Sequence, residues 1–194
     1  MVLELETPVG LARVRLEEAD SPRAALVLGH GAGGGIDSPD LAGATSAARA
    51  AGFTVALVEQ PYRVAGRRSP APAAQLDAAW VSVISQLPLA GPPVLVGGRS
   101  AGARVACRTA ADVGAAAVLC LAFPLHPPGR PEKSRLEELD AVELPTLVVQ
   151  GERDPFGLPP AGPNRTVVTV PGTHSLRSSA TVAAVVLDWL EKHR

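Results

Sequence analysis

The sequence contains few aromatic residues and few cysteines. Its 194 residues include three Phe, two Trp, one Tyr and two Cys. So few aromatic rings exclude a platform on which nucleic-acid bases stack, and two cysteines cannot form the disulfide framework of a small secreted domain. Both thiols, Cys107 and Cys120, lie in apolar segments. We therefore expect buried, free thiols in a cytoplasmic protein.

The chain also lacks an excess of charge and long hydrophobic runs. Its formal net charge is −1, which gives no general attraction to nucleic acids or anionic membranes. The longest apolar runs are strand-sized, well short of the roughly 20 residues that span a bilayer. The acidic start of the chain is unlike a signal peptide. We therefore expect neither nucleic acid nor a membrane as a partner.

Length and periodicity predict a single α/β domain over residues 1–194. The composition, 46% hydrophobic and 19% charged, is typical of a globular protein. A hairpin at 2–6 and 11–17 precedes six Val/Leu-rich bursts, typical of strands covered on both faces, at 24–28, 53–58, 94–96, 116–121, 146–149 and 166–170. Helix-length stretches occupy 41–51, 73–87, 101–113, 132–139 and 176–192. This order predicts a mostly parallel, eight-stranded sheet with helices on both faces.

A serine motif follows the fifth predicted strand. Gly98-x-Ser100-x-Gly102 has the spacing of a nucleophile elbow, a sharp strand-to-helix turn that exposes a serine hydroxyl. The flanking glycines let the strand and the helix approach closely, and the helix N-terminus offers backbone donors to an oxyanion. The alternative is a glycine-rich turn without chemistry. The apolar strand before the motif and the Ala/Val-rich helix after it favour the elbow.

A second glycine-rich segment, 29–35, follows the third predicted strand. Its small residues let backbone N–H groups point into a cavity, and we expect the N–H groups of Ala32 and Ala101 to form an oxyanion hole. The segment lacks the Gly-Lys-Ser/Thr ending of a phosphate-binding loop. His30 within it either buttresses the loop or lines a substrate pocket together with Gly31.

A serine nucleophile needs a base that removes its proton. The chain has four histidines. His30 lies in the glycine-rich segment, His126 precedes the candidate acid along the chain, and His193 is next to the last residue. His174 directly follows the last predicted strand, so it is the expected base for Ser100.

The base in turn needs a group that holds its tautomer. Asp154 and Glu152 both follow the seventh predicted strand, which ends near 149. Asp154 is favoured because a shorter side chain in a proline-closed turn is easier to hold in place. The resulting chain order, Ser100, Asp154 and His174, is that of the α/β-hydrolases.

These motifs resemble a compact α/β-hydrolase related to dienelactone hydrolase. The resemblance covers nearly the whole chain and rests on segments 29–33, 98–102, 123–129, 151–157 and 172–175. The run His126-Pro127-Pro128-Gly129 is similar to that of the small bacterial relatives of testis-expressed protein thirty and of a hydrolase-like domain in a histone-acetyltransferase-complex subunit. The resemblance implies that Ser100 is the nucleophile, His174 the base and Asp154 its orienting acid.

Further residues flank the expected site. In segment 123–133, Phe123 and His126 either form a substrate wall or belong to a rigid connector. Tyr62 follows the fourth predicted strand and is a candidate for the mouth of the pocket. Arg99 lies inside the elbow, where it either braces neighbouring loops or meets a substrate anion. Lipases carry a lid after the sixth strand, and here that position holds only residues 123–139. We therefore expect no large lid and no long-chain lipid substrate.

These features predict a serine hydrolase of small molecules. The expected substrate is a small carboxylic ester, thioester or lactone, cleaved through an acyl-enzyme without a metal or an organic cofactor. Two alternatives remain open. The fold also serves in interaction modules without catalysis, and the same three residues can transfer the acyl group to an acceptor other than water.

Overall fold

The computed structural model describes residues 1–89 and 91–192, so His193 lies outside the described residues. The strands are β1 (Val2–Thr7), β2 (Gly10–Glu17), β3 (Ala25–Gly29), β4 (Thr54–Glu59), β5 (Val94–Arg99), β6 (Ala117–Leu121), β7 (Thr146–Gly151) and β8 (Arg165–Val170). The helices are α1 (Pro39–Ala50), α2 (Pro61–Val64), α3 (Ala73–Gln86), α4 (Ala101–Thr109), α5 (Leu136–Asp140) and α6 (Ser179–Lys192).

The strands form one sheet in the order β1-β2-β4-β3-β5-β6-β7-β8. β1 pairs antiparallel with β2, and β2 pairs antiparallel with β4. All pairs from β4 through β3 to β8 are parallel. The predicted mostly parallel sheet of eight strands is confirmed. Its parallel strands end at one edge, so the loops after β3, β5, β7 and β8 lie near one another.

Strand residues point alternately to the two faces of the sheet, and both faces are covered. On β3, Leu26 and Leu28 pack with α1 and α6, where Trp189 belongs to the same apolar cluster. Val27 points to the opposite face and packs in the cluster that contains Trp80 of α3. Burial on both faces explains why these strands are continuous apolar runs rather than alternating ones.

Several helix boundaries differ from the sequence-based prediction. α2 was not predicted, because a four-residue helix that begins at Pro61 is too short to show a helical periodicity. α5 starts at Leu136 instead of 132, since the Ser134 hydroxyl accepts the Leu136 N–H and sets a turn before it. α6 starts at Ser179 instead of 176. The chain from 171 to 178 is therefore a loop, and it carries His174.

Residues 122–135 join β6 to α5 and contain no helix or strand. The segment therefore adds no helical lid over the carboxyl edge of the sheet, and the predicted absence of a large lid is confirmed. Among the described helices, none has the length and the apolar character needed to cross a membrane.

Gly43 provides the contact between α1 and α6. A Cβ at this position would overlap the backbone carbonyl of Ser179. Alanine normally stabilises a helix by about 1 kcal/mol relative to glycine, but here we expect Gly43→Ala to lower the free energy of unfolding by about 2 kcal/mol, because the helices are forced apart. Urea unfolding measures the change. Ser46→Ala, at an exposed position of the same helix, should stay within about 0.5 kcal/mol. A stabilised Gly43→Ala protein would contradict the contact.

Candidate active site

Three side chains meet at the carboxyl edge of the sheet. Ser100 follows β5, Asp154 follows β7, and His174 follows β8. Nε2 of His174 lies 2.9 Å from Oγ of Ser100, and Nδ1 of His174 lies 2.9 Å from Oδ2 of Asp154. The three residues singled out from the sequence thus form one hydrogen-bonded line.

The serine sits in a strained turn between β5 and α4. Ser100 has φ 52° and ψ −109°, a left-handed conformation that a residue with a Cβ rarely adopts. Such a residue costs on the order of 1–3 kcal/mol and persists only where its surroundings impose it. A Cβ on Gly98 or on Gly102 would overlap the carbonyl oxygen of Gly29 on β3. The glycines therefore allow strand and helix to touch, and this contact holds the turn.

The carboxylate of Asp154 is fixed by several donors. Its Oδ1 accepts the backbone N–H of Phe156 at 2.8 Å. Its Oδ2 is 2.8 Å from the amide nitrogen of Gln150, which also lies 3.0 Å from the carbonyl oxygens of Phe123 and Gly157. Gln150 is fully buried and was not predicted. Its signal in the sequence is an amide side chain at the end of an otherwise apolar strand, four residues before Asp154.

The imidazole of His174 is held from two further sides. Its ring stacks on Phe156, with 4.0 Å between the ring centroids. Its backbone carbonyl accepts a hydrogen bond from Nη2 of Arg99 at 3.2 Å. Nε of Arg99 is 2.8 Å from the buried carboxylate of Asp40 at the start of α1. Arg99 therefore braces the loop that carries His174, and neither Phe156 nor Asp40 was predicted from the sequence.

Ala32 and Ala101, whose backbone N–H groups form the expected oxyanion hole, line the same cleft as Ser100. Among the described residues, neither group donates a hydrogen bond to the protein. The loop that carries Ala32 is held in place by Tyr62, whose hydroxyl donates to the Ala32 carbonyl at 2.8 Å. Two unpaired donors beside a nucleophile can stabilise a developing oxyanion.

The cleft above Ser100 has a volume of about 240 Å³. Its lining combines apolar residues with arginines: Leu76, Pro124 and Phe156 together with Arg104, Arg108 and Arg135. Within residues 1–89 and 91–192, no cluster of three or more His, Cys, Asp or Glu side chains is arranged to hold a metal ion.

Residues 22–167 match the family model described as alpha/beta hydrolase domain. The chain belongs to the alpha/beta hydrolase family. One similar structure is XC6422 from Xanthomonas campestris, described as a serine hydrolase without lid. The similarity covers 99% of this chain and 94% of XC6422, with 21% sequence identity and a TM-score of 0.75. Dienelactone hydrolase from Anabaena variabilis is similar over 100% and 97% at 17% identity (TM-score 0.76). Est1E from Butyrivibrio proteoclasticus is similar over 99% and 98% at 14% identity (TM-score 0.76). At these identities the structures establish the fold alone.

In this alpha/beta hydrolase, several pocket candidates lie behind the cleft rather than on its surface. Phe123 is completely buried in the core, and its neighbour Pro124 lines the cleft. The backbone N–H of His126 donates to the Phe156 carbonyl at 3.0 Å, and its ring packs against Gly157. His126 thus supports the loop of Asp154. Gly31 is buried over the guanidinium of Arg99, where a Cβ would overlap Nη1.

His30 links the glycine-rich loop to the end of β4. It is only 3% exposed. Its Nε2 accepts the backbone N–H of Gln60 at 3.0 Å, so the proton is on Nδ1, which donates to the Gly31 carbonyl at 2.8 Å. Burial lowers the pKa of His30 below its usual 6.5. The ring is therefore neutral and has a supporting role.

This neutral imidazole makes stability depend on pH. As pH falls below about 6.5, the unfolded chain binds a proton at His30 that the native protein does not bind, so native stability is lost toward acid. Between pH 7.5 and 5.5, we expect His30→Asn to lose less stability than the original protein, by up to about 1.4 kcal/mol per pH unit. Urea unfolding at both pH values measures this. His126→Asn, which removes a half-exposed imidazole, is the control. An unchanged slope in His30→Asn would disprove the effect.

Proposed function

We propose that this chain is a serine hydrolase that cleaves a small carboxylic ester, thioester or lactone. The observation that carries the proposal is the hydrogen-bonded line from Ser100 through His174 to Asp154. A purely structural role has no need of a strained serine in an open cleft, a stacked imidazole and a buried carboxylate in that order.

The reaction begins with proton transfer. Nε2 of His174 takes the hydroxyl proton while Oγ of Ser100 bonds to the substrate carbonyl carbon. The carbonyl oxygen becomes an oxyanion that accepts the N–H groups of Ala32 and Ala101. Asp154 holds the proton of Nδ1 in place and stabilises the imidazolium.

Product release regenerates the serine. The tetrahedral intermediate expels the alcohol, thiol or ring oxygen, which takes the proton from His174 and leaves an acyl group on Ser100. His174 then removes a proton from water, whose oxygen attacks the acyl carbon. Collapse of this second intermediate returns the proton to Oγ and releases the carboxylic acid. No metal or organic cofactor takes part in the proposed reaction.

The shape of the cleft supports small substrates. Its volume of about 240 Å³ falls below the roughly 300–1,000 Å³ of pockets that enclose drug-sized ligands. The short connection at 122–135 provides no cover for a long acyl chain. We further propose that the protein acts in the cytoplasm on a small-molecule acyl substrate. We also propose that the chain is related to the small bacterial relatives of testis-expressed protein thirty. This part of the proposal rests on the run His126-Pro127-Pro128-Gly129.

The nucleophile can be tested with an uncharged fluorophosphonate probe. We expect the original protein to be labelled once per chain and Ser100→Ala not to be labelled, because only an activated hydroxyl attacks phosphorus. Intact-mass spectrometry and peptide mapping give the site. Ser175→Ala, at an exposed serine next to His174, should still be labelled. A folded protein without labelling, purified with a stable partner, would favour the interaction module.

The role of Asp154 as the orienting acid can be tested with a variant in which an amide group replaces its carboxylate. We expect Asp154→Asn to lower kcat by up to about 10⁴-fold on a short p-nitrophenyl ester, because the imidazole then takes the wrong tautomer. Glu152→Gln, at an exposed position two residues earlier, should be close to the original rate. The reverse result would assign the acid to Glu152. Added alcohols that accept the acyl group in preference to water would indicate a transferase.

A further inference from the structure

Three guanidinium groups line the cleft that contains Ser100. Arg104 and Arg108 lie one turn apart on α4, directly after the elbow, and Arg135 lies just before α5. All three are half-buried. The proposed ester-cleavage mechanism uses none of them, so their presence at the reaction site needs a separate explanation.

Two of these groups are neutralised by carboxylates. Nε and Nη2 of Arg104 bind both oxygens of Glu138, at 2.8 and 2.6 Å. Nε and Nη2 of Arg108 bind both oxygens of Asp77 at the same distances. Burial opposes ionisation of Glu138, but Arg104 and Arg108 outweigh it and hold the pKa of Glu138 below its usual range. Glu138 is therefore charged, and all four carboxylate oxygens of Glu138 and Asp77 are occupied by arginine N–H groups.

Arg135 has no such partner. Within the described part of the chain, its guanidinium donates to one acceptor, the Pro124 carbonyl at 3.0 Å, and no carboxylate lies within 4.0 Å of it. Burial and the positive charge of Arg104 lower the pKa of Arg135, and together they outweigh the opposing negative charge of Glu138. Three cations and two anions thus leave one positive charge at the wall of the cleft.

The position of Arg135 is fixed before any ligand binds. Its backbone N–H donates to the Leu125 carbonyl at 2.7 Å, and its side chain is held by Pro124, which itself lines the cleft. An unpaired arginine in open solvent, such as the exposed Arg130, is an ordinary surface residue. A half-buried guanidinium held at the lining of the cleft that contains the nucleophile offers further N–H donors to an anion.

We propose that Arg135 selects substrates that carry a singly charged anionic group, which pairs with its guanidinium while the scissile carbonyl lies at Ser100. This proposal rests on the proposed hydrolase function and names its substrate class. One excess positive charge matches one carboxylate, and the apolar lining residues Leu76 and Phe156 accommodate the short carbon chain between the anion and the ester.

The test compares esters of matched size with and without a negative charge. On the acyl side, mono-p-nitrophenyl adipate is compared with p-nitrophenyl hexanoate. On the alcohol side, the butyrate ester of 4-hydroxybenzoate is compared with that of 4-hydroxybenzamide. Rates with Ser100→Ala are subtracted. We expect the charged member of at least one pair to have a kcat/KM about 10- to 100-fold higher, as a charge-assisted hydrogen bond supplies. The pair that shows this preference identifies the side that carries the anion.

Variants assign the preference to a residue. Arg135→Gln should remove most of the charged-to-neutral ratio, and Arg135→Lys should retain part of it, since an ammonium keeps the charge without the planar fork. Arg130→Gln removes one exposed charge from the same segment and should keep the full ratio. Labelling of Ser100 by the uncharged fluorophosphonate shows that each variant is folded. A ratio that survives in Arg135→Gln would overturn the proposal.

The outcomes separate this proposal from the hydrolase proposal. Labelling of Ser100 with equal rates in both ester pairs would overturn the role of Arg135 and leave the hydrolase intact. If Ser100 is not labelled and no ester is cleaved, binding of hexanoate and hexanamide to the protein, followed by NMR, decides the anion site. Tighter binding of hexanoate that disappears in Arg135→Gln supports it, and equal binding of both overturns it.

Discussion

The candidate site depends on contact between backbones at the end of β5. Ser100 keeps its left-handed conformation because β5, α4 and the end of β3 touch without side chains between them, through Gly98, Gly102 and Gly29. The strain in the turn is offset by the packing of the sheet and its helices. A Cβ on Gly98 or Gly102 would push α4 away from β3, and the turn that carries Ser100 and Ala101 would move with it.

A second constraint is the placement of charge inside the protein. Asp40 is almost fully buried. Its Oδ2 lies 2.8 Å from Nε of Arg99, and its Oδ1 accepts hydrogen bonds from the Ser38 hydroxyl and the Leu41 N–H. The same arginine reaches the His174 carbonyl. One ion pair thus connects α1, the elbow and the loop after β8. Buried polar groups whose hydrogen bonds are all satisfied favour a single arrangement of these elements. Groups that are only partly satisfied do not define one arrangement in this way.

The positions of Ser100, Asp154 and His174 could be predicted because each follows an apolar strand, and parallel strands end at one edge. The sheet was predictable for the same reason, since strands covered on both faces leave continuous apolar runs. Gln150, Phe156 and the Asp40–Arg99 pair were not, because their contacts join segments far apart in the chain and leave no periodic pattern. Likewise, α6 begins later than predicted because the apolar residue Leu176 is buried from a loop.

The helices that cover the sheet also determine at what stage of synthesis the protein can complete its fold. One face is closed by α1 together with α6, whose Val182, Val186 and Trp189 complete its apolar cluster. During synthesis, the strands through β8 are made while this face still lacks half of its cover. Completing this face therefore needs contacts between α1 and α6, which join early and late parts of the chain and form slowly. Until α6 leaves the ribosome, the exposed apolar surface is a substrate for chaperones and a risk for aggregation.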